Sequence, residues 1–334
     1  MVWEQRWHPL REEWVLYTEH RGGRPWIGET KPPEAAAHPS YDPNCALCPG
    51  NTRVHGENPA YTGVYWFTND LPPFSGDAPP PSTSDELYRT RPVRGTSEVI
   101  CYHPGHSKTF AGLEPAQATA VVRTWRDRYR AAAELPGVDY VLIFENRGAL
   151  VGTSNPHPHC QLYAGNLVYG IAERERAAAA RYHAATGASL LQEIVRRESA
   201  SARVVASNAE FFACVPWFAR YAYEVLVFPR RPVASLADLD DARCAALGET
   251  LLAVTRAYDK LWNMPMPYVM AIHQAPVDGN PANVHYPFHI EFHPPLRKPD
   301  TLKYLAGPEI GGGSMTNESD PDKKAAELKE AAAC

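Results

Sequence analysis

Several things are missing from this 334-residue sequence, and each absence narrows what it can do. No apolar run reaches the length of a membrane span. The segment Met1-Val2-Trp3-Glu4-Gln5-Arg6 carries none of the apolar stretch of a signal peptide. The expectation is a cytoplasmic protein with no membrane partner. There is no excess of base: 33 Lys and Arg stand against 38 Asp and Glu, a net charge of −5. That balance argues against a nucleic-acid partner, while leaving room for a local cluster of cations around a nucleotide. No Walker loop and no GxGxxG follows a strand. Cysteine is scarce, seven in all, and only Cys45 and Cys48 have motif spacing, which fits reduced thiols rather than a disulfide framework. The length, with 44% hydrophobic residues, is enough to bury a large core, as two domains or one composite domain.

A second Cys-x-x-Cys is also missing. Two thiolates at the spacing of Cys45 and Cys48 can grip one zinc ion, but a tetrahedral site needs two more ligands, so histidines should supply them. His106, in Pro104-Gly105-His106-Ser107-Lys108, and His157 are the best candidates. A redox dithiol is the alternative use of the spacing, but no thioredoxin-like helix follows it.

What is present is concentrated in Ser154-Asn155-Pro156-His157-Pro158-His159-Cys160-Gln161. In an extended segment residues i and i+2 point to one side, so His157, His159 and Gln161 are offered together. Pro156 and Pro158 remove backbone donors and fix φ, which suits an edge strand or a rigid loop. With His157 on the metal, His159 stays free. An imidazole Nε2 is a competent nucleophile toward phosphorus when Nδ1–H is tied to a backbone carbonyl. Gln161 can donate a neutral hydrogen bond to a phosphoryl oxygen as charge builds there.

Two parts of the chain read alike. Glu98 in Ser97–Tyr102 corresponds to Glu224 in Tyr223–Phe228, 126 residues on, and Phe110 and Leu113 recur as Leu236 and Leu239 at the same offset. Tyr140-Val141-Leu142-Ile143 returns as Tyr268-Val269-Met270-Ala271 after 128 residues, and His159 as His289 after 130. Each copy reads as strand, helix, strand, irregular loop, strand. The first helix opens on Pro115 at its first position and shows Val121, Val122, Trp125 and Tyr129 at helical spacing. The second is capped by Asp240 or Asp241, with Leu247, Leu251, Thr255 and Tyr258 turned inward. A repeat this long is not a solenoid. The expectation is an α+β fold of two fused modules, 1–171 and 172–334, with strands largely buried. Residues 172–197 form a partly exposed linking helix, Gly76–Ser84 a surface loop, and 322–331 a short tail helix.

A second group, Glu175, His273, His289 and Glu291, offers two imidazoles and two carboxylates. It can hold a second metal, and buried histidines bonded to carboxylates would look the same. Cations and amides suited to a nucleotide lie scattered at Arg21 and Arg24 before Pro25-Trp26, in Phe67-Thr68-Asn69-Asp70, and in Phe144-Glu145-Asn146-Arg147-Gly148.

Taken together, Asn-Pro-His-Pro-His-x-Gln, Phe-Glu-Asn-x-Gly, Cys-x-x-Cys-Pro-Gly-Asn, His-Arg-x-x-Arg-Pro-Trp and Phe-Thr-Asn-Asp resemble the galactose-1-phosphate uridylyltransferases, from about Trp7 to the C-terminal helix. That family belongs to the histidine-triad superfamily, so the resemblance implies two histidine-triad-like modules with antiparallel sheet and packed helices. It implies a ping-pong exchange of a uridylyl group between UDP-glucose and galactose 1-phosphate, in galactose metabolism, by a homodimer. His159 would be the residue uridylylated, and Gln161 would contact the transferred phosphoryl group. Cys45, Cys48, His106 and His157 match structural zinc ligands, and Glu175, His273 and His289 match ligands of a second metal, iron or zinc. Arg21, Arg24, Asn69, Asp70, Asn146, Ser154 and Asn155 fall on nucleotide- or phosphate-binding positions, and Lys303 and Glu309 where the sugar phosphate and hexose bind.

The departures from the family pattern are specific. Cys160 replaces the usual glycine, which is expected to alter the room beside the nucleophile. Glu291 stands where many members have a histidine ligand, Pro308 where an aromatic residue is common, and Asn317 in place of a sugar-contacting glutamine. The rival readings are an adenylyltransferase or ADP-sugar phosphorylase, a uridylyltransferase for another hexose 1-phosphate, a histidine-triad hydrolase releasing UMP, and a non-enzymatic zinc-stabilised nucleotide-binding module.

Overall fold

Runs of β-branched and aromatic residues become the strands of one large sheet. The computed structural model describes residues 1–25, 30, 38–81 and 85–333. An N-terminal hairpin is made of β1 (Trp3–His8) and β2 (Glu13–Thr18). The first half then contributes β3 (Tyr65–Thr68), β4 (Gly95–Cys101), β5 (Tyr140–Arg147) and β6 (His159–Gly165). The second half contributes β7 (Val204–Ser207), β8 (Phe211–Cys214), β9 (Val225–Pro229), β10 (Tyr268–His273) and β11 (His289–His293). Among the described residues the main sheet has nine strands, ordered β3-β4-β6-β5-β10-β11-β9-β8-β7, each pair antiparallel.

The duplication is visible in that order. Outward from the centre, β5-β6-β4 in one half mirrors β10-β11-β9 in the other, and the halves are stitched where Phe144 of β5 faces Ala271 of β10. A short strand β12 (Thr316–Asn317) returns from the tail to pair with β2 in a separate three-stranded sheet.

Two long helices cover one face of the main sheet. In α1 (Pro115–Ala133) Pro115 opens the helix as expected, and the Gln117 side chain accepts from Glu114 N–H at 2.9 Å. Farther on, α4 (Asp241–Leu261) is capped by Asp240, which accepts from Arg243 N–H at 2.8 Å. The helices cross closely because Gly248 faces α1: a Cβ there would lie 3.1 Å from Thr119 N. Trp125 and Tyr129 of α1 and Leu247, Leu251 and Tyr258 of α4 join Ile143, Leu162, Ile272 and Ile290 of the sheet in one core. Burial of this continuous apolar layer is the main source of stability.

The linking segment differs from the expected single helix. It forms α2 (Gly170–Thr186) and α3 (Leu190–Ser199), broken at Gly187, whose φ of 70° ends α2 in the left-handed region. Ser189 then caps α3 by accepting from Gln192 N–H at 3.4 Å. The tail helix, α5, spans Pro321–Ala333. Residues 82–84 of the predicted surface loop, and Trp26 of the arginine motif, lie outside the described residues.

Candidate active site and metal clusters

Alternation along β6 sorts its side chains between two faces. Cys160, Leu162 and Ala164 point into the helix-covered core, whereas His159, Gln161 and Tyr163 lie on the opposite face. Residues directly opposite on neighbouring strands share a face. Val99 of β4 and Phe144 of β5 therefore flank Gln161, and Phe67 of β3 flanks Val99. The expectation for Cys160 needs correcting. Its thiol does not face the side of His159: it is fully buried behind the sheet, where Trp125 Nε1–H points at Sγ from 3.1 Å.

His159 Nδ1 lies 2.7 Å from the His157 carbonyl. A carbonyl only accepts, so Nδ1 carries the proton and Nε2 keeps the lone pair. Burial lowers the imidazole pKa and keeps the ring neutral. Beside it, Gln161 Oε1 is 3.0 Å from Tyr163 Oη and 3.4 Å from Asn69 Nδ2.

Cys45, Cys48, His106 and His157 converge, with their ligand atoms all within 4.8 Å of one another and all four residues buried. His106 Nδ1 and His157 Nδ1 each lie 3.5 Å from Cys48 Sγ. The far nitrogen of His157, Nε2, is 2.9 Å from the His103 carbonyl, which places the proton there and turns the Nδ1 lone pair inward. Burial lowers both histidine pKa values, that of His157 to about 4, so both rings are neutral and able to ligate. Asn155 ties the histidine motif to the knuckle, accepting from His157 N–H at 2.9 Å and lying 3.4 Å from Cys45 Sγ. This donor set fits a tetrahedral metal.

The second predicted cluster also assembles. Glu175, His273, His289 and Glu291 are buried with ligand atoms within 4.8 Å of one another. His289 Nδ1 is 2.5 Å from the Pro287 carbonyl, and its Nε2 is 3.1 Å from Glu291 Oε1 and 3.7 Å from Glu175 Oε1. Glu175 Oε2 receives His273 Nδ1 at 2.8 Å and Tyr286 Oη at 2.6 Å, while Oε1 is buried without a hydrogen-bond donor. That orphaned oxygen fits a cation in the cluster. Sequence reading missed Arg11, whose guanidinium pairs with Glu291 Oε2 across 280 residues of chain with both side chains buried. Burial opposes its ionisation, yet Arg11 and His273 hold the Glu291 carboxyl well below the usual carboxylate range.

The remaining predicted residues divide between two places. Asn69 and Asn155 join the β6 group through Gln161 and His157, Asn146 follows Phe144 by two on β5, Ser154 lies exposed before β6, and Asp70 is ion-paired with Arg53 at 2.7 Å. Arg21, Arg24, Lys303, Glu309 and Asn317 instead line a cavity of about 380 Å³ beside β2 and β12, none of whose lining residues belongs to β3–β6. Arg297 also lines it, another position sequence reading passed over. Lys303 Nζ is 2.9 Å from Glu309. Asn317 is buried, and its amide is taken up by the Ala219 carbonyl at 2.9 Å and Ser319 N–H at 3.0 Å.

Family models for galactose-1-phosphate uridyl transferase match residues 1–168 for the N-terminal domain and 175–333 for the C-terminal domain. The chain belongs to this family. The uridylyltransferase of Haemophilus influenzae is 37% identical over 312 residues, covering 92% of this chain and 88% of that protein. That of Rattus norvegicus is 37% identical over 317 residues, covering 91% and 82%. A solved uridylyltransferase structure is 28% identical and superposes with a TM-score of 0.81 over 99% of this chain and 98% of its own. Among the described residues no helix is long and apolar enough to cross a membrane.

Proposed function

We propose that His159 is the group through which this protein passes a uridylyl group between UDP-glucose and galactose 1-phosphate. The observation that carries the assignment is the 2.7 Å contact of Nδ1 with the His157 carbonyl, which leaves a neutral imidazole with its Nε2 lone pair on the outer face. That lone pair attacks the α-phosphorus of UDP-glucose. The bond from phosphorus to the β-phosphate oxygen breaks, and glucose 1-phosphate leaves with the electron pair. A phosphate oxygen of galactose 1-phosphate then attacks the same phosphorus, the P–N bond breaks, and UDP-galactose departs. Gln161 supplies a neutral hydrogen bond to a non-bridging oxygen as charge develops. Phe67, Val99 and Phe144 offer an apolar floor for the base, with Asn69, Asp70, Asn146 and Ser154 around it.

We assign zinc to the knuckle, where Cys45, Cys48, His106 and His157 would hold it. Bound there, it supplies structural cross-linking that fixes the strand bearing His159. Iron or zinc suits the second cluster through Glu175, His273, His289 and Glu291. The cavity of Lys303, Glu309, Arg21 and Arg24 is read as the sugar-phosphate side of the site, presented to His159 of a second copy. In support, it lies apart from β6, and the exposed Trp7, Trp14 and Leu16 beside it form an apolar face suited to a homodimer. The decisive test is to incubate the protein with UDP-glucose and weigh it. A uridylyl adduct on His159, discharged by galactose 1-phosphate, is expected. An adenylyl adduct from ADP-glucose, release of free UMP, or UDP binding with no adduct would each overturn the reading in favour of one of its rivals.

A further inference from the structure

A carboxamide can face a substrate by either end, and only its N–H end assists a phosphoryl oxygen. For Gln161 the choice is made by a run of hydrogen bonds that starts at a group with a single role. The Leu71 backbone N–H can only donate, and it lies 3.0 Å from Asn69 Oδ1. That contact puts the oxygen of Asn69 on the Leu71 side and its NH2 on the other. Asn69 Nδ2 lies 3.4 Å from Gln161, so the atom it meets there is the carbonyl oxygen Oε1. Tyr163 Oη, 3.0 Å from the same oxygen, must therefore donate as well. Two donors take the two lone pairs of Oε1. The Gln161 NH2 group, with no partner among the described residues, is the end left for a ligand.

We propose that Tyr163 is a positioning residue for uridylyl transfer, its hydroxyl locking Gln161 with the N–H end outward. The inference rests on the contact between Gln161 and the phosphoryl group proposed above. Of the two bonds the tyrosine's is the shorter and carries more of the orientation. The terminal torsion of a glutamine is broad and two-fold, so the side chain alone does not favour one end. Tyr163 is itself held in place: its ring packs edge-on against Phe144, 4.8 Å between centroids at 79°, and against Phe74 at 6.3 Å and 62°. Sitting two residues past Gln161 on the same face of β6, it reaches the carboxamide without any loop between them.

The test uses the full-length protein and rapid acid quench after mixing with UDP-glucose. Tyr163→Phe should slow formation of the uridylyl-protein about five- to tenfold, the effect of losing one neutral hydrogen bond. The dissociation constant for UDP should stay within about twofold, because a ground-state ligand does not depend on the developing charge. Gln161→Ala should be slower still, and adding Tyr163→Phe to it should change nothing further, since the hydroxyl then has no carboxamide to hold. A wild-type rate in Tyr163→Phe would overturn the proposal. So would an equal loss in the Gln161→Ala background, which would give the hydroxyl some other role. If the unsubstituted protein forms no adduct, the functional reading itself has failed and takes this inference with it. A normal adduct with an indifferent Tyr163→Phe removes the inference alone.

Discussion

His159 and His289 occupy the same place in the two halves of the sheet, and the same local device holds both rings. Each Nδ1 faces the carbonyl two residues back, at 2.7 Å and 2.5 Å. What differs is the company of Nε2. Two residues beyond His159 stands neutral Gln161, hydrogen-bonded to Tyr163 and Asn69. Two residues beyond His289 stands Glu291, 3.1 Å from Nε2, with Glu175 at 3.7 Å. A lone pair among neutral groups is available to an electrophile. The same lone pair between two carboxylates calls for a cation, either a metal or a proton. Burial opposes protonation of His289, but Glu175 and Glu291 outweigh it and raise its pKa. On the proposed roles, the charge of the neighbouring side chain, more than the histidine, decides between nucleophile and ligand.

The largest effect that would sharpen this contrast is loss of the free lone pair. His159→Ala should abolish the adduct and lower sugar-nucleotide exchange by at least about 10⁴-fold, whereas His289→Ala should still form adduct while losing metal from the second cluster. Mass spectrometry and elemental analysis of both variants decide it, and a uridylyl-protein recovered from His159→Ala would break the comparison. Next, Gln161→Glu makes the first site electrostatically like the second. A carboxylate beside the transferred group should slow uridylylation about 10²- to 10³-fold in single-turnover measurements. In the other half, Arg11→Met strips the buried counter-charge from Glu291. A loss of about 3–5 kcal/mol in urea unfolding is expected, as for other buried ion pairs broken on one side. The smallest effect belongs to Cys160→Ala: about 1–2 kcal/mol of stability, with the uridylylation rate within twofold, because the thiol packs on Trp125 behind the sheet.

Much of this was readable from residue order. The offsets between copies anticipated the mirrored halves, Pro115 and Asp240 marked the starts of both long helices, and each predicted ligand group converges. Local signals failed where distance along the chain hides proximity. Arg11 and Glu291 are 280 residues apart, so nothing near either one announces the pair. The tail residues Lys303 and Glu309 were singled out only by the family resemblance, and their separation from β6 depends on how β12 docks on β2. The break between α2 and α3 had its signal in Gly187 and Ser189, overridden by the Ala-rich composition around them.

The alternation of β6 has a consequence for how this protein tolerates change. Positions 160, 162 and 164 pack against the helices behind the sheet, while 159, 161 and 163 stand on the face to which the proposed function assigns the substrate. Because neighbouring residues along the strand serve different masters, a saturation scan of this segment should separate by parity into two interleaved populations. Variants at even positions would lose abundance yet turn over normally per folded molecule, and variants at odd positions would accumulate to full level and turn over poorly. Evolution can thus adjust the substrate one residue away from the core without touching it.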